Sequence, residues 1–109
     1  MRALSIRQPY VERIMRGEKT IEYRSQPTKV RGRVYIYASL KPAQEQEFAT
    51  LSAKPGDFPT GVIVGTVEIV DCTNRDGAYE WHLARPKRLA RPLKPRNKPQ
   101  PVWFYPFEK

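Results

Sequence analysis

A chain of 109 residues carrying 20 Lys and Arg against 11 Asp and Glu, with a formal net charge of +9, is long enough for one domain with one modest core and basic enough to attract polyanions. Its single cysteine and single histidine exclude an intrachain disulfide and a multi-cysteine zinc site, and no apolar run approaches the roughly 20 residues of a membrane span. The opening MRALSIRQPY reads as a strand rather than a secretory h-region, so the expectation is a cytoplasmic, monomeric protein of one domain, residues 1–109, with no metal, cofactor or membrane partner.

In chain order, ALSIR alternates Leu4 and Ile6 against Ser5 and Arg7, a short strand. QPYVERIMRG places Pro9 at a first helical position, Val11, Ile14 and Met15 at helical spacing, and Gly17 where a left-handed C-terminal cap belongs. KTIEYR then reads as a half-buried strand, with Ile21 and Tyr23 toward the core and Thr20, Glu22 and Arg24 on the other face. GRVYIYAS is a strand with both faces occupied, Val34, Ile36 and Ala38 opposite Tyr35, Tyr37 and Ser39. KPAQEQEFATL predicts a short helix anchored by Phe48 and Leu51, and AKPGDFPTG a loop.

GVIVGTVEIVDC, rich in β-branched residues, predicts a central strand in which Gly65 marks a bend or a close backbone approach. Cys72 at its end is a small core filler. AYEWHLARP alternates Tyr79, Trp81 and Leu83 against Glu80 and His82, another strand, with His82 a hydrogen-bonded strand residue. The basic, proline-rich segment that follows reads as a loop and carries Arg85, Lys87, Arg88, Arg91, Lys94, Arg96 and Lys98. No acidic residue lies between Glu80 and Glu108. Such a run is either a solvated loop or a surface that tracks phosphates. PVWFYPF closes the chain as a short aromatic strand. Short strands with a helix after the first and another after the third predict an α+β fold, a small mixed sheet or barrel of about five or six strands with two or three short helices at its edge.

The stretch GEKTIEYR holds the densest polar pattern. Glu22 and Arg24 fall on one side of a strand about 7 Å apart, and Ser5, Arg7 and Gln8 reach the same end of the sheet if the first two strands are neighbours. An amide, a carboxylate and two or more cations in one pocket can read the hydrogen-bonding edge of a nucleobase and grip a neighbouring phosphate. Tyr35, Tyr37 and Trp81 are the better aromatic candidates for stacking on a base, since their strands bury the alternate face.

LSIRQPYVERIMRGEKTIEYR resembles the opening of the ASCH domain family, whose G-x-K-x-x-E-x-R segment is matched by Gly17, Lys19, Glu22 and Arg24. GRVYIYAS and TGVIVGTVEIVDC resemble the next strands of that family, and YEWHLARPKRLARPLKPRNKPQPVWF resembles the ending it shares with EVE domains. The resemblance implies a PUA-like β-barrel with a cleft beside the first helix, lined by the lysine, glutamate and arginine of the motif. It implies a module that binds RNA or DNA, single-stranded or with an unpaired or modified base. The expected contacts are Ser5, Arg7, Gln8, Lys19, Glu22, Arg24, Tyr37, Trp81, Arg85, Lys87, Arg88 and Arg91. The alternative is a metal-independent hydrolase of a modified nucleoside or of RNA, with Lys19 and Glu22 as catalytic groups. In the branch similar to N4-acetylcytidine amidohydrolases a threonine stands where this chain has Glu22. That arrangement also uses a distant glutamate, for which Glu68 is the candidate here.

Overall fold

The computed structural model describes residues 1–108, and its elements follow from local rules. Strand β1 (Ala3–Ile6) leads into helix α1 (Tyr10–Met15), which starts one residue after Pro9. The Gln8 side chain fixes this start: its Oε1 accepts from the Glu12 backbone N–H at 3.0 Å, and its Nε2 donates to the Pro59 carbonyl at 3.0 Å. The helix ends in a Schellman motif, with Glu18 N–H donating to Arg13 O at 2.9 Å and Gly17 N–H to Ile14 O at 3.0 Å. Gly17 adopts the left-handed φ of 80° that this cap requires.

Strands β2 (Ile21–Arg24) and β3 (Gly32–Ala38) follow, then helix α2 (Gln46–Ala49), the long strands β4 (Val62–Arg75) and β5 (Ala78–Leu93), and β6 (Trp103–Phe104). They form one sheet in the order β2-β5-β4-β3-β1-β6, in which β1 and β3 run parallel and the other pairs antiparallel. The sheet is mixed, as expected, but its ladders leave β2 and β6 as edges and do not close a barrel. The reason is that β1 has a partner on each side, β3 and β6, so no row of its backbone groups remains for β2. Side chains span the gap instead. Arg24 Nη2 on β2 donates to the Ser5 carbonyl on β1 at 2.9 Å, and Trp81 on β5 stacks on Trp103 on β6 at 5.8 Å.

The main core lies under α1. It gathers Leu4, Ile6, Val11, Ile14, Val34, Ile36, Val67, Ile69 and Trp81. A smaller cluster of Ala3, Tyr37, Ile63 and Phe104 covers the opposite face. Both faces of β3 are therefore occupied, which its unbroken apolar and aromatic sequence anticipates. Gly65 is a close approach: a Cβ there would meet Lys87 O at 2.5 Å, Met15 Sδ at 2.5 Å and Arg88 Cα at 3.1 Å.

One expectation about an element is corrected. The basic segment after Ala84 is not a loop; as far as Leu93 it continues β5 against β4. Pro86 lacks an amide hydrogen for the ladder. It lies in the irregular stretch between the pairs Glu68–Ala84 and Thr66–Lys87, where Arg85 turns to φ 52°.

Candidate binding cleft

Strand β2 presents the opposite face from the one its apolar pattern suggests. Tyr23 is 57% exposed, whereas Glu22 is buried at 9%. Across the ladder Glu22 is opposite Trp81, which is 2% exposed, so Glu22 and Arg24 face the inside of the curled sheet. The polar pair is stable there because it is internally compensated. Arg24 Nε donates to Glu22 Oε2 at 2.8 Å, Lys19 Nζ stands 3.4 Å from Glu22 Oε1, and the Arg24 guanidinium lies 5.5 Å over the Trp81 ring. A buried carboxylate held by two cations, one of which also satisfies a carbonyl of β1, closes the end of the core where no backbone ladder is available.

Above this clamp opens a cleft of about 400 Å³, lined by Ser5, Ile6, Arg7, Tyr10, Glu22, Arg24, Ser39, Lys41 and Pro101. Strands β1 and β3 are parallel and paired from Ala3–Tyr35 to Ile6–Ala38, so both end at the cleft and deliver Arg7 from one and Ser39 and Lys41 from the other. Arg7 and Lys41 are exposed at its rim. Tyr10 forms one side; its hydroxyl donates to Glu47 Oε1 at 2.6 Å, and this hydrogen bond together with burial raises its pKa above the ordinary 10.0.

Of the residues expected at the site, Ser5, Arg7, Glu22 and Arg24 line the cleft. Lys19 stands behind Glu22, its ammonium between the Tyr10 and Tyr23 rings at 5.5 and 5.4 Å. Three others lie elsewhere. Gln8 is 1% exposed and spends both ends of its amide on the start of α1 and on Pro59. Tyr37 is 4% exposed and packs edge-on against Phe104 at 5.3 Å, and burial raises its pKa. Trp81 has Trp103 stacked on its ring and donates Nε1–H to Gln26 O at 3.0 Å, so it is a core residue with no face left for a base.

The four basic residues of β5 divide into two kinds. Arg88 makes a two-pronged ion pair with Glu12 at 2.9 and 3.1 Å, and Arg16 pairs with the same carboxylate at 2.7 Å. Burial pushes the Glu12 carboxyl up, but the hydrogen bonds from Arg88 and Arg16 outweigh it and hold the pKa below 4.5. Arg85 pairs with Glu68 at 2.6 Å, and this bond, with the Arg33 charge, lowers the Glu68 pKa. Glu68 is thus engaged by two arginines and is not among the residues of the cleft. Lys87 and Arg91 are exposed and make no ion pair among the described residues.

Sequence reasoning did not select Ser39, Lys41 and Pro101 for the site. Their signal is topological, the parallel pairing of β1 with β3 for Ser39 and Lys41 and the antiparallel approach of β6 to β1 for Pro101, which alternation within a strand does not encode. Among the described residues no group of three or more His, Cys, Asp or Glu side chains stands close enough to hold a metal ion.

The family model of the ASCH domain matches residues 4–104. The chain is also 35% identical over 83 residues to activating signal cointegrator 1 of Homo sapiens, and equally to that of Mus musculus. Each match covers 66% of this chain and 14% of the relative, so the chain spans a small part of the length of these larger proteins.

Proposed function

The chain belongs to the ASCH domain family, and on that premise we propose that it is a nucleic-acid-binding module that holds one nucleotide, or an unpaired or modified base, in the cleft. The observation that carries this reading is Glu22, a buried carboxylate between Lys19 and Arg24 at the base of a cleft of about 400 Å³ whose rim carries Arg7 and Lys41. That volume lies toward the lower end of the roughly 300–1,000 Å³ of small-molecule sites. An ionised carboxylate has about four acceptor positions. With two cations bound, Glu22 keeps acceptor capacity for an amino N–H of a base edge, as in the recognition of cytosine N4. Rim cations not neutralised by a protein carboxylate suit the attached phosphate.

Hydrolysis is the weaker reading. A general base for water needs a carboxylate free to take a proton, and Glu22 is ion-paired twice, while the Lys19 ammonium is enclosed by two tyrosine rings. The relatives named activating signal cointegrator 1 are compatible with a binding module. The finer fold reading, a PUA-like barrel in which the curl of the sheet stands in for ladder closure, rests on the Arg24–Ser5 and Trp81–Trp103 contacts across the open edges.

The test is calorimetric titration with a panel of nucleoside monophosphates, against the native chain and against Glu22→Gln and Arg7→Ala. Glu22→Gln is expected to change which base binds best, by about 1–3 kcal/mol of discrimination, and Arg7→Ala to weaken all the nucleotides alike. If both variants bind every nucleotide as the native chain does, the cleft is not the site.

A further inference from the structure

The cleft does not end at Pro101. Its wall at Ser5, Ser39 and Pro101 is shared with a second hollow of about 380 Å³, and this one shares Tyr37, Leu40, Lys98 and Pro99 with a third of about 420 Å³ that reaches Lys94 and Arg96. The three hollows adjoin one another in a row, forming a groove between the end of β3 and the segment 94–101. Its chemistry is uneven in a specific way. Among the described residues the second and third hollows are lined by no carboxylate, and Glu22 is the one acid along the path. The walls are flat apolar surfaces, prolines on one side and Leu40, 74% exposed, on the other.

Lys94, Arg96 and Lys98 are exposed along the edge and make no ion pair among the described residues. The backbone that carries them is nonetheless tied down at residues 96, 97 and 100. Arg96 N–H and Asn97 N–H both donate to Pro106 O, at 2.8 and 2.9 Å, the Asn97 amide donates to the Tyr105 carbonyl, and Ser5 Oγ donates to the Gln100 carbonyl at 2.8 Å.

Resting on the cleft as a nucleotide site, we infer that this groove is the path of a single-stranded polynucleotide: about two further nucleotides leave the cleft past Ser39, rest their bases on Leu40 and the prolines, and set their phosphates against Lys98, Arg96 and Lys94. A basic groove that tracks the phosphates of a strand is one half of the arrangement of sequence-tolerant single-strand binding, and here aliphatic surface takes the place of the aromatic platforms. A duplex does not fit, because its bases are stacked and paired and offer no faces to the walls. The path also departs from β5, where Arg85 and Arg88 are already ion-paired with Glu68 and Glu12.

The experiment is fluorescence anisotropy with mononucleotides, trinucleotides and hexanucleotides of both RNA and DNA, and with a duplex of the hexanucleotide. The proteins compared are the native chain, Lys94→Glu with Lys98→Glu, the milder Lys94→Gln with Lys98→Gln, Lys87→Glu with Arg91→Glu, and Glu22→Gln. Far-UV circular dichroism confirms that each is folded. The native chain is expected to bind trinucleotides at least about tenfold tighter than mononucleotides. The Lys94 and Lys98 pairs should erase that gain while moving mononucleotide affinity much less, the glutamates more than the glutamines. The RNA and DNA arms identify which sugar is preferred.

The path is overturned if both Lys94 and Lys98 pairs keep the length-dependent gain, if only the Lys87 and Arg91 pair loses it, or if the duplex binds as tightly as the single strand. Should the native chain bind mononucleotides without discrimination and Glu22→Gln change nothing, while the Lys94 and Lys98 pairs still abolish oligonucleotide binding, the groove stands and the reading of the cleft fails. Absence of any oligonucleotide binding sinks both.

Discussion

Glu12 and Glu22 are carboxylates of nearly equal burial, 8% and 9% exposed, set to different work by their partners. Glu12 joins α1 to β5 through Arg88 and completes an i,i+4 pair with Arg16. Its folded pKa is depressed, so its contribution to stability is present above the unfolded value of about 4.5 and is lost as pH falls through the folded value. Glu12→Gln is therefore expected to cost about 2 kcal/mol in urea unfolding at pH 7, with the gap to the native chain closing as pH drops below about 4.5. A gap that stays constant down to pH 3 would mean that the ion pair contributes nothing net. Arg24 is the matching case at the cleft. Its Nε reaches Glu22 at 2.8 Å while its Nη2 reaches Ser5 O at 2.9 Å, two directions that a guanidinium fork serves and an ammonium does not. Arg24→Lys should thus lose about 1–2 kcal/mol of stability despite its unchanged charge, and urea midpoints of the two proteins compare them directly.

At the level of the elements, two glycines are required for different physical reasons. Gly65→Ala places a methyl within 2.5 Å of both Lys87 O and Met15 Sδ, where β5 crosses close to β4 under α1. Overpacking of that kind costs about 1–3 kcal/mol. Gly17→Ala meets nothing within 4 Å and pays only for its φ of 80°, about 1 kcal/mol. Thermal unfolding of the two variants should rank Gly65→Ala as the more damaging. Both glycines were legible in the sequence, one as a helix cap and one as a bend or close approach inside a β-branched run, because each rule concerns a few adjacent residues. The same local rules misread β2 and β5. In β2, Ile21 and Tyr23 look like the buried pair, but the inside position falls to Glu22 and Arg24, whose charges cancel and whose guanidinium covers Trp81. In β5, prolines suggested a loop, yet Pro86 sits at an irregularity and pairing with β4 resumes beyond it. Each error has one physical cause: long-range pairing supplied compensation that the local pattern does not contain.

Across the whole molecule, the net charge of +9 matters less than which cations remain unpaired. Arg85 and Arg88 sit in the basic run that draws the eye in the sequence, but Glu68 and Glu12 already hold them. Arg7 and Lys41 at the cleft and Lys94, Arg96 and Lys98 along the groove make no ion pair among the described residues. Counterions are released when a phosphate is neutralised by a cation that was not already neutralised, and for single strands each such contact contributes about 0.7 to the slope of log K against log salt. Engagement of those five cations therefore predicts a slope of up to about −3.5 for a single-stranded oligonucleotide. Arg85→Ala, which removes one of the two cations that share Glu68 and leaves that carboxylate to Arg33, should weaken binding slightly through the long-range field and leave the slope nearly unchanged. Lys98→Ala should flatten it by about 0.7. Anisotropy titrations of these two variants over a salt series decide the matter: flattening by Arg85→Ala alone would place the phosphates on β5, flattening by Lys98→Ala alone would place them in the groove, and equal flattening by both would mean that the strand lies across both.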